Sequence, residues 1–547
     1  RIWAGLFGEG DKIDGGIGDD YLVGYAFGSS TVSYATLTGG VGVTVRLHAS
    51  GAQNTIGGGI DTLLDFSNVE GSQFNDTLLG TGEAGIVGSI ETYWGLGGDD
   101  FINGGNLQRT TYDGGAGSDT VSFDWSSAHG VRIDLRVSGD QSIWDDEVAL
   151  PLSTGHDDMD FHSIENLQGG SQADTFTGTD QINGLAGFGG NDTLFGEGGN
   201  DILNGGDGND TLHGGNNDDV LFGLDDADTL NGDAGNDTLD GGDGSDSLNG
   251  GLGNDTYVLS NGFDGISDTG GIDTITSTIT RSLASFTTID HLTLIGGNLN
   301  GTGNGLANTI KGTAGVNTLD GGTGNDRLEG GAGNDTYVIN STADILVESS
   351  GIDTVKSTVT KTLATGFENL TLIAGNINGT GNSDANTITG STGKNKLSGK
   401  DGNDTLNGGS GADILIGGRG RDIMTGGADA DDFDFDSISE TGRTSSTRDI
   451  IRDFRHGTDD IDLSTIDANS RVAGNQKFIL LTKEGAAFNS FKDGTDVRGL
   501  LRWDQQNLSG TANDKTIIEG DINRDGRADF QIQLTGLKTL TSTDFIL

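Results

Sequence analysis

The sequence predicts an all-β fold in which short strands stack coil upon coil as a solenoid. Three observations lead to this prediction. Eight nonapeptides follow one another without insertion from Gly187 to Val258, and such a fixed short period is typical of stacked repeats. Glycine supplies 99 of the 547 residues, whereas proline occurs once. The formal net charge of −52 requires counter-cations in any compact state, because like charges repel one another.

Three positions of the nonapeptide are nearly invariant, and each has a physical reason. The first is always Gly, which adopts the left-handed backbone of tight turns without steric cost. The eighth is Leu seven times and then Tyr257, which predicts a short strand with one side chain in a narrow core. The sixth is always Asp, and carboxylate and carbonyl oxygens suit Ca²⁺, a hard cation. The candidate calcium ligands of this array are Asp192, Asp201, Asp210, Asp219, Asp228, Asp237, Asp246 and Asp255.

The pattern G-G-x-G-x-D-x-U-x resembles the repeats of the RTX (repeats-in-toxin) family of secreted calcium-binding proteins. The resemblance implies a parallel β-roll or β-helix solenoid with two nonapeptides in each coil, formed here by residues 187–258. It also implies that each Ca²⁺ lies between Asp residues 18 positions apart, such as Asp192 and Asp210. Calcium is therefore the expected cofactor.

Two further nonapeptide arrays follow, at residues 303–338 and 381–434. Each array opens with Asn in the acidic position, at Asn308 and Asn317 and again at Asn386 and Asn395. Asn keeps an oxygen but loses the charge, so these coils are expected to bind calcium weakly or not at all. A ladder of stacked Asn side chains is the favoured interpretation. The candidate ligands that follow are Asp326, Asp335, Asp404, Asp413, Asp422 and Asp431.

The segments between the arrays, residues 259–302 and 339–380, repeat each other with a period of about 80 residues. GGLGNDTYV at Gly250 recurs as GGAGNDTYV at Gly330. Alternation in Ile275, Ser277 and Ile279 predicts a half-buried strand, so these spacers are expected to be β-helix coils with longer loops. Residues 1–180 hold degenerate repeats of the same kind, with candidate calcium ligands at Asp20, Asp100 and Asp119.

Residues 435–547 have a more ordinary composition and resemble the C-terminal region of serralysin-type secreted proteins. The resemblance is carried by the segments DIIRDFRHGTDDIDLSTID and EGDINRDGRADFQIQLTG and by the ending STDFIL. It implies a β cap on the solenoid and an uncleaved signal for the type I secretion apparatus, which places the protein outside the cell or on its surface. The H-E-x-x-H motif of the serralysin protease is absent from the chain, so no protease is implied.

Within this region, one loop has the spacing of the first nine positions of an EF-hand, and its residues are Asp521, Asn523, Asp525, Gly526 and Asp529. The twelfth position is Ile532, where an EF-hand has a bidentate Glu. A partial calcium loop and a plain acidic turn are both compatible with this pattern.

Composition and motifs exclude several function classes. The chain has no Cys, and none of its apolar runs is long enough for a transmembrane helix. Strong negative charge makes nucleic acid and anionic membranes poor partners. The seven His residues lack helical zinc-ligand spacing, and the acidic segment around His156, Asp157, Asp158, Asp160 and His162 is interpreted as a solvated loop. No nucleophile elbow or phosphate loop occurs, so no enzyme is predicted.

Two function classes remain. The favoured one is a structural or adhesive extracellular protein, such as a surface layer, a matrix fibre or a filament. The alternative is the calcium-binding export region of a longer hydrolase or adhesin. The segment RIWAGLFGEG places Ile2, Trp3, Leu6 and Phe7 beside the first coil without a visible polar cap. If Arg1 lies near the true start of the chain, head-to-tail self-association is expected, whereas no assembly is required if more chain precedes Arg1. Cell-surface polysaccharide is another candidate partner.

Overall fold

The computed structural model describes most of the chain and divides it into two compact units, Arg1–Ser277 and Thr278–Leu547. The described residues are 2–3, 11–24, 30–38, 40–47, 52–57, 59–64, 66–80, 91–104, 110–123, 130–139, 141–142, 158–260, 263–469, 474–488, 499–507, 514–523 and 525–547. The predictions made for Leu6, Phe7, His156 and Asp157 concern residues outside these ranges. Each unit is an all-β solenoid of mainly parallel strands, as the sequence predicts.

The first unit contains four stacks of strands, and all but two of the described strand pairings are parallel. One stack contains Ile2–Trp3, Tyr21–Val23, Ile60–Leu64 and Gln53–Asn54. The second contains Lys12–Asp14, Thr31–Ser33, Asn68–Glu70, Glu91–Trp94, Thr110–Asp113, Asp158–His162 and Gln141–Ser142. The third contains Thr44–Arg46, Thr77–Leu79, Phe101–Asn103, Thr120–Ser122, Asn166–Gln168, Gly184–Gly189, Ile202–Asp207, Val220–Asp225, Thr238–Asp243, Thr256–Leu259 and Thr274–Ser277. The fourth contains Arg132–Asp134, Thr175–Thr177, Thr193–Gly198, Thr211–Asn216, Thr229–Ala234, Ser247–Leu252 and Gly265–Ser267.

The second unit contains three stacks. One is formed by His291–Leu294, Thr309–Lys311, Arg327–Ala332 and Ile345–Ser350. Another contains Arg281–Ser282, Asn300–Thr302, Thr318–Asp320, Thr336–Ile339, Thr354–Ser357, Asn369–Leu372, Thr387–Thr389, Thr405–Ser410, Ile423–Ala428, Asp449–Ile451, Phe530–Thr535, Lys515–Asp521, Leu500–Gln506 and Ile479–Leu480. The last contains Lys361–Thr362, Gly379–Thr380, Lys396–Asp401, Ile414–Arg419, Asp432–Asp434, Asp460–Asp462 and Phe545–Ile546. A short 3₁₀ helix, Ser542–Asp544, precedes the last of these strands.

The register of the strands shows that one coil takes two nonapeptides. Leu194 pairs with Leu212, and Leu212 pairs with Leu230, so each step along a stack is 18 residues. These leucines are fully buried and form a ladder inside the solenoid. Burying one such side chain stabilises the fold by about 1.5–3 kcal/mol, so a narrow core of this kind depends on many repeats.

The strands are longer than the sequence pattern predicts. Thr193–Gly198 continues past Gly196 into the next nonapeptide, because the glycine at position one does not have a left-handed backbone. Left-handed angles occur instead at positions two and four, for example φ 114° at Gly206 and 120° at Gly208. In the first spacer, by contrast, the strand is shorter than the sequence pattern predicts. The strand Thr274–Ser277 ends before Ile279, which is 37% exposed, so the prediction of a strand through Ile279 was wrong.

The C-terminal residues extend the solenoid before they cover it. Asp449–Ile451 and Asp460–Asp462 add parallel strands to two stacks of the second unit. An antiparallel meander of Leu500–Gln506, Lys515–Asp521 and Phe530–Thr535 follows. No helix among the described residues is long and apolar enough to cross a membrane.

Candidate calcium columns

The Asp residues of the nonapeptides form columns that run along the solenoid. The backbone N–H of Asp192 donates to Oδ1 of Asp210 at 2.7 Å, and Asp210 donates to Asp228 at 2.8 Å. A second column, offset by nine residues, repeats the contact from Asp201 to Asp219 at 2.7 Å. Asp residues 18 positions apart, which were predicted to lie on either side of a calcium ion, are therefore joined by a direct hydrogen bond. It leaves the second carboxylate oxygen of each residue for another partner.

That second oxygen is buried and has no hydrogen-bond partner in nearly every predicted site. The described residues that leave Oδ2 unpartnered include Asp100, Asp119, Asp192, Asp201, Asp210, Asp219, Asp228, Asp237, Asp246, Asp255, Asp326, Asp335, Asp404, Asp413, Asp422 and Asp431. A buried polar atom without a partner costs about 1–3 kcal/mol, and more if it is charged. A cation with oxygen ligands removes this cost, so the side chains fit Ca²⁺.

Glycine at position one makes room for these oxygens. A Cβ atom at Gly187 would lie 1.9 Å from Oδ2 of Asp192 and 2.7 Å from the carbonyl oxygen of Gly205. A carboxylate oxygen and a carbonyl oxygen of the next coil therefore approach the same point, where only glycine fits. Glycine is needed at this position because a side chain would clash with these oxygens, and not because of its backbone angles.

Burial raises the pKa of the column carboxyls. The pKa of Asp192 rises to about 8, that of Asp219 to about 7 and that of Asp201 to about 6, with desolvation as the largest cause in each. Neighbouring carboxylates of the same column raise the pKa of Asp192 and Asp219 further. Without a cation, the Asp192 carboxyl with its pKa of about 8 therefore favours the protonated state at neutral pH, and the raised pKa values of Asp219 and Asp201 make both easier to protonate than an exposed Asp.

The Asn residues that open the later arrays are bonded to the backbone. Asn317 donates Nδ2–H to the carbonyl of Leu299, 18 residues earlier, and its Oδ1 accepts from the N–H of Thr313 at 2.7 Å. Asn308 bonds in the same way to Asp290. The expected ladder of stacked Asn is wrong, because the next residue in each column is Asp: the N–H of Asn317 donates to Asp335.

We expect Asn317→Asp to lower the free energy of unfolding by about 1–3 kcal/mol without adding a bound Ca²⁺, because the Leu299 carbonyl loses its donor. Asn298→Asp is the matched control, since the exposed Asn298 side chain accepts a bond from Val316 that a carboxylate can also accept. Chemical denaturation and calcium counting in both variants test this. A gain of one calcium ion in Asn317→Asp would contradict it.

The degenerate N-terminal repeats contain the same contacts at longer spacing. Asp76 donates its N–H to Asp100, and Asp100 donates to Asp119, at separations of 24 and 19 residues. Asp20 differs. Its N–H donates to Oδ1 of the buried Asp61, whose Oδ2 accepts bonds from the hydroxyls of Tyr34 and Thr55. The sequence did not single out Asp61, because 41 residues separate it from Asp20.

Other carboxylates with an unpartnered buried oxygen were not predicted. Asp353 follows the truncated pattern G-x-D-x-U-x of GIDTVK, and Asp449 opens the strand DII beyond the last array. A search for the half motif G-x-D-x-U would have found Asp353. Asp449 accepts the N–H of Asp422 across 27 residues and so extends its column into the C-terminal region.

The EF-hand-like loop is a hairpin turn between Lys515–Asp521 and Phe530–Thr535. Asn523 donates to Asp529, the N–H of Asp525 donates to Asn523, and that of Gly526 donates to Asp521. These bonds hold the loop without a cation, and a partial calcium loop at Asp521, Asn523, Asp525 and Asp529 stays a prediction. In the first unit, Asp158–His162 is a strand, so the interpretation of these residues as a solvated loop was wrong; His162 Nε2 lies 3.0 Å from Asp160 on its exposed side.

Comparison with known proteins finds two family matches, each over part of the chain. Residues 186–221, 222–257 and 302–337 match the RTX calcium-binding nonapeptide repeat, and residues 390–547 match the peptidase M10 serralysin C terminal family. None of the curated proteins matches the chain. Among solved structures, the AlgE6R3 subunit of the Azotobacter vinelandii mannuronan C5-epimerase shares 22% identity over 34% of this chain and 82% of that subunit, with a TM-score of 0.17. The resemblance and the calcium cofactor are confirmed.

Proposed function

We propose that this chain, which carries RTX calcium-binding repeats and a serralysin-type C-terminal region, is an extracellular structural or adhesive protein that folds on calcium after export. The observation that supports this most directly is the series of buried, unpartnered carboxylate oxygens in both units. Calcium levels outside cells suit modules that bind at about 10⁻⁴ to 10⁻³ M. The repeat solenoid and the C-terminal region are non-catalytic folds, and we propose no enzymatic activity.

The C-terminal residues support export before folding. Asp544 is fully buried and accepts bonds from His456 Nδ1 at 2.8 Å and from the N–H of Gly457 at 2.9 Å. Phe545 pairs with Ile461 in a parallel stack. These contacts bury Asp544 and Phe545 of the candidate secretion signal in the folded protein, whereas Ile546 is exposed. A type I secretion apparatus would therefore contact the signal while the chain is unfolded and free of calcium.

Self-association is the part of the proposal that a simple experiment tests. Ile2–Trp3 is an edge strand of its sheet among the described residues, and an edge strand is a template for further pairing. A contact between unlike ends that does not close forms a fibre. With millimolar calcium, we expect the 547-residue chain to form fibres in negative-stain microscopy and sedimentation.

Strictly monomeric particles at high protein concentration would contradict the fibre. That outcome would favour the alternative, the export region of a longer hydrolase or adhesin, which the match of residues 390–547 to the serralysin C terminal family also supports. Binding of the monomer to cell-surface polysaccharide would retain an adhesive role.

A further inference from the structure

The last nonapeptide before each spacer differs from the others at its eighth position. Leu194 and its equivalents give way to Tyr257 in the first unit and to Tyr337 in the second. The Tyr257 hydroxyl accepts the N–H of Gly250 at 2.8 Å, and the Tyr337 hydroxyl accepts that of Gly330 at 3.0 Å. A leucine ladder therefore ends in a residue that brings a polar atom to the glycine at position one.

A third carboxylate joins the column pair at each of these places. In the spacer that follows, an acidic side chain reaches back so that three carboxylate oxygens lie within 4.8 Å of one another. The two clusters are Asp255, Asp268 and Asp273, and Asp335, Glu348 and Asp353. All three members recur after 80 residues, in separate units. In the second cluster, Glu348 also accepts a bond from the Tyr337 hydroxyl.

The buried members of these clusters have an oxygen to offer. Asp255 and Asp335 are each 1% exposed; their Oδ1 atoms accept the N–H groups of Asp237 and Asn317, and their Oδ2 atoms have no partner. Asp353 is fully buried and also has an unpartnered Oδ2. Three ionised carboxylates at this distance repel one another strongly unless a cation lies between them.

We propose that each of these two clusters binds one cation, and binds it more tightly than a pair of column carboxylates 18 residues apart does. The clusters are Asp255, Asp268 and Asp273, and Asp335, Glu348 and Asp353. The third carboxylate adds one negative charge at the same ion, and calcium affinity rises with ligand charge. Each cluster thus adds a third carboxylate where a column passes from the array into the spacer, and it ties the first spacer strand to that column. A trivalent lanthanide fits the three charges better still. The inference holds whether the chain is a structural protein or an export region.

The test is the release of calcium from the folded, full-length chain by chelator competition. The wild type is expected to keep two calcium ions after the array sites have emptied. The single variant Asp268→Asn is expected to keep one such ion, and the double variant Asp268→Asn with Glu348→Gln is expected to keep none. The calcium affinity of each altered site should fall about tenfold, which corresponds to about 1.4 kcal/mol of binding free energy. Asp243→Asn is the control, because it removes the same charge from an exposed turn of the same array.

Circular dichroism in saturating calcium checks that each variant is folded. If a variant does not fold, terbium(III) added to the calcium-loaded wild type gives an independent measurement. Terbium emission excited through tyrosine is expected to saturate at two ions and to fall in Tyr257→Phe with Tyr337→Phe. Two tight calcium ions in the double carboxylate variant would overturn the proposal, as would a wild type with array calcium but no tight pair. A wild type that binds no calcium at all would instead contradict calcium binding by the repeats.

Discussion

Removal of calcium at pH 8 is expected to abolish the β structure of this chain, and acid is expected to restore much of it. In calcium-free solution, each column carboxylate has a buried oxygen without a partner, at a cost of about 1–3 kcal/mol. A typical domain is stable by only about 5–15 kcal/mol, so a few such oxygens exceed its net stability. The structure has many more than a few, which makes the fold depend on the cation.

The pH dependence follows from the direction of the pKa shifts. The pKa of Asp192 is raised from 3.8 to about 8 and that of Asp219 to about 7, chiefly by burial. An acid with a raised pKa in the folded state contributes stability that is present below its unfolded pKa and is lost as the pH rises through its folded pKa. The calcium-free chain should therefore lose stability between about pH 4 and pH 8. With calcium the slope reverses, because calcium binds the ionised form.

Circular dichroism of chain freed of calcium, recorded between pH 4 and pH 8 with and without millimolar Ca²⁺, measures both slopes. Magnesium at the same concentration controls for ionic strength and general charge screening, because Mg²⁺ is smaller and loses its water reluctantly. An unchanged β signal on calcium removal at pH 8 would contradict calcium-linked folding. A calcium-free chain that is more stable at pH 8 than at pH 5 would contradict the assigned burial of the columns.

The parts of the structure that repeat at short period could be predicted from the sequence. The inward leucines follow from the nonapeptide spacing, whereas the coil of two nonapeptides and the columns of Asp192 and Asp201 were implied by the resemblance to RTX repeats; in the structure the same contact recurs every 18 residues. The identity of the cation as calcium was inferred from the oxygen ligands and from the resemblance to RTX repeats. The sequence pattern also marked Asn308 and Asn386 in the acidic position of the first unit of each later array. It did not predict which groups their side-chain amides bind.

Contacts that depend on loops of irregular length could not be predicted in this way. Asp61 lies opposite Asp20 because the intervening chain makes one long coil, and no period marks it. Asp268 follows the spacer strand Gly265–Ser267 and Glu348 lies in the spacer strand Ile345–Ser350, so only the folded path brings them close to a column. The role of glycine at position one was misassigned, because a residue pattern does not distinguish a left-handed turn from a lack of space beside Asp192.

Replacing both Asp210 and Asp228 with Ala is expected to lower the free energy of unfolding in calcium by about 2–6 kcal/mol and to remove calcium from one column. The backbone N–H groups of Asp192 and Asp210 lose their acceptors, at 2.7 and 2.8 Å in the structure, and each buried orphan costs about 1–3 kcal/mol. The calcium midpoint for folding should rise, while the other column keeps its ions.

The control is Asp225→Ala with Asp243→Ala, which removes two exposed carboxylates from the same array at positions that pair in register. It lowers the magnitude of the net negative charge by the same amount and should leave the calcium midpoint nearly unchanged. Calcium-dependent circular dichroism and calcium counting on both double variants provide the comparison. Equal effects in the two would mean that general charge neutralisation drives folding. A loss confined to Asp210→Ala with Asp228→Ala is the result that a buried ligand column requires, because only those carboxylates have a buried oxygen without a hydrogen-bond partner.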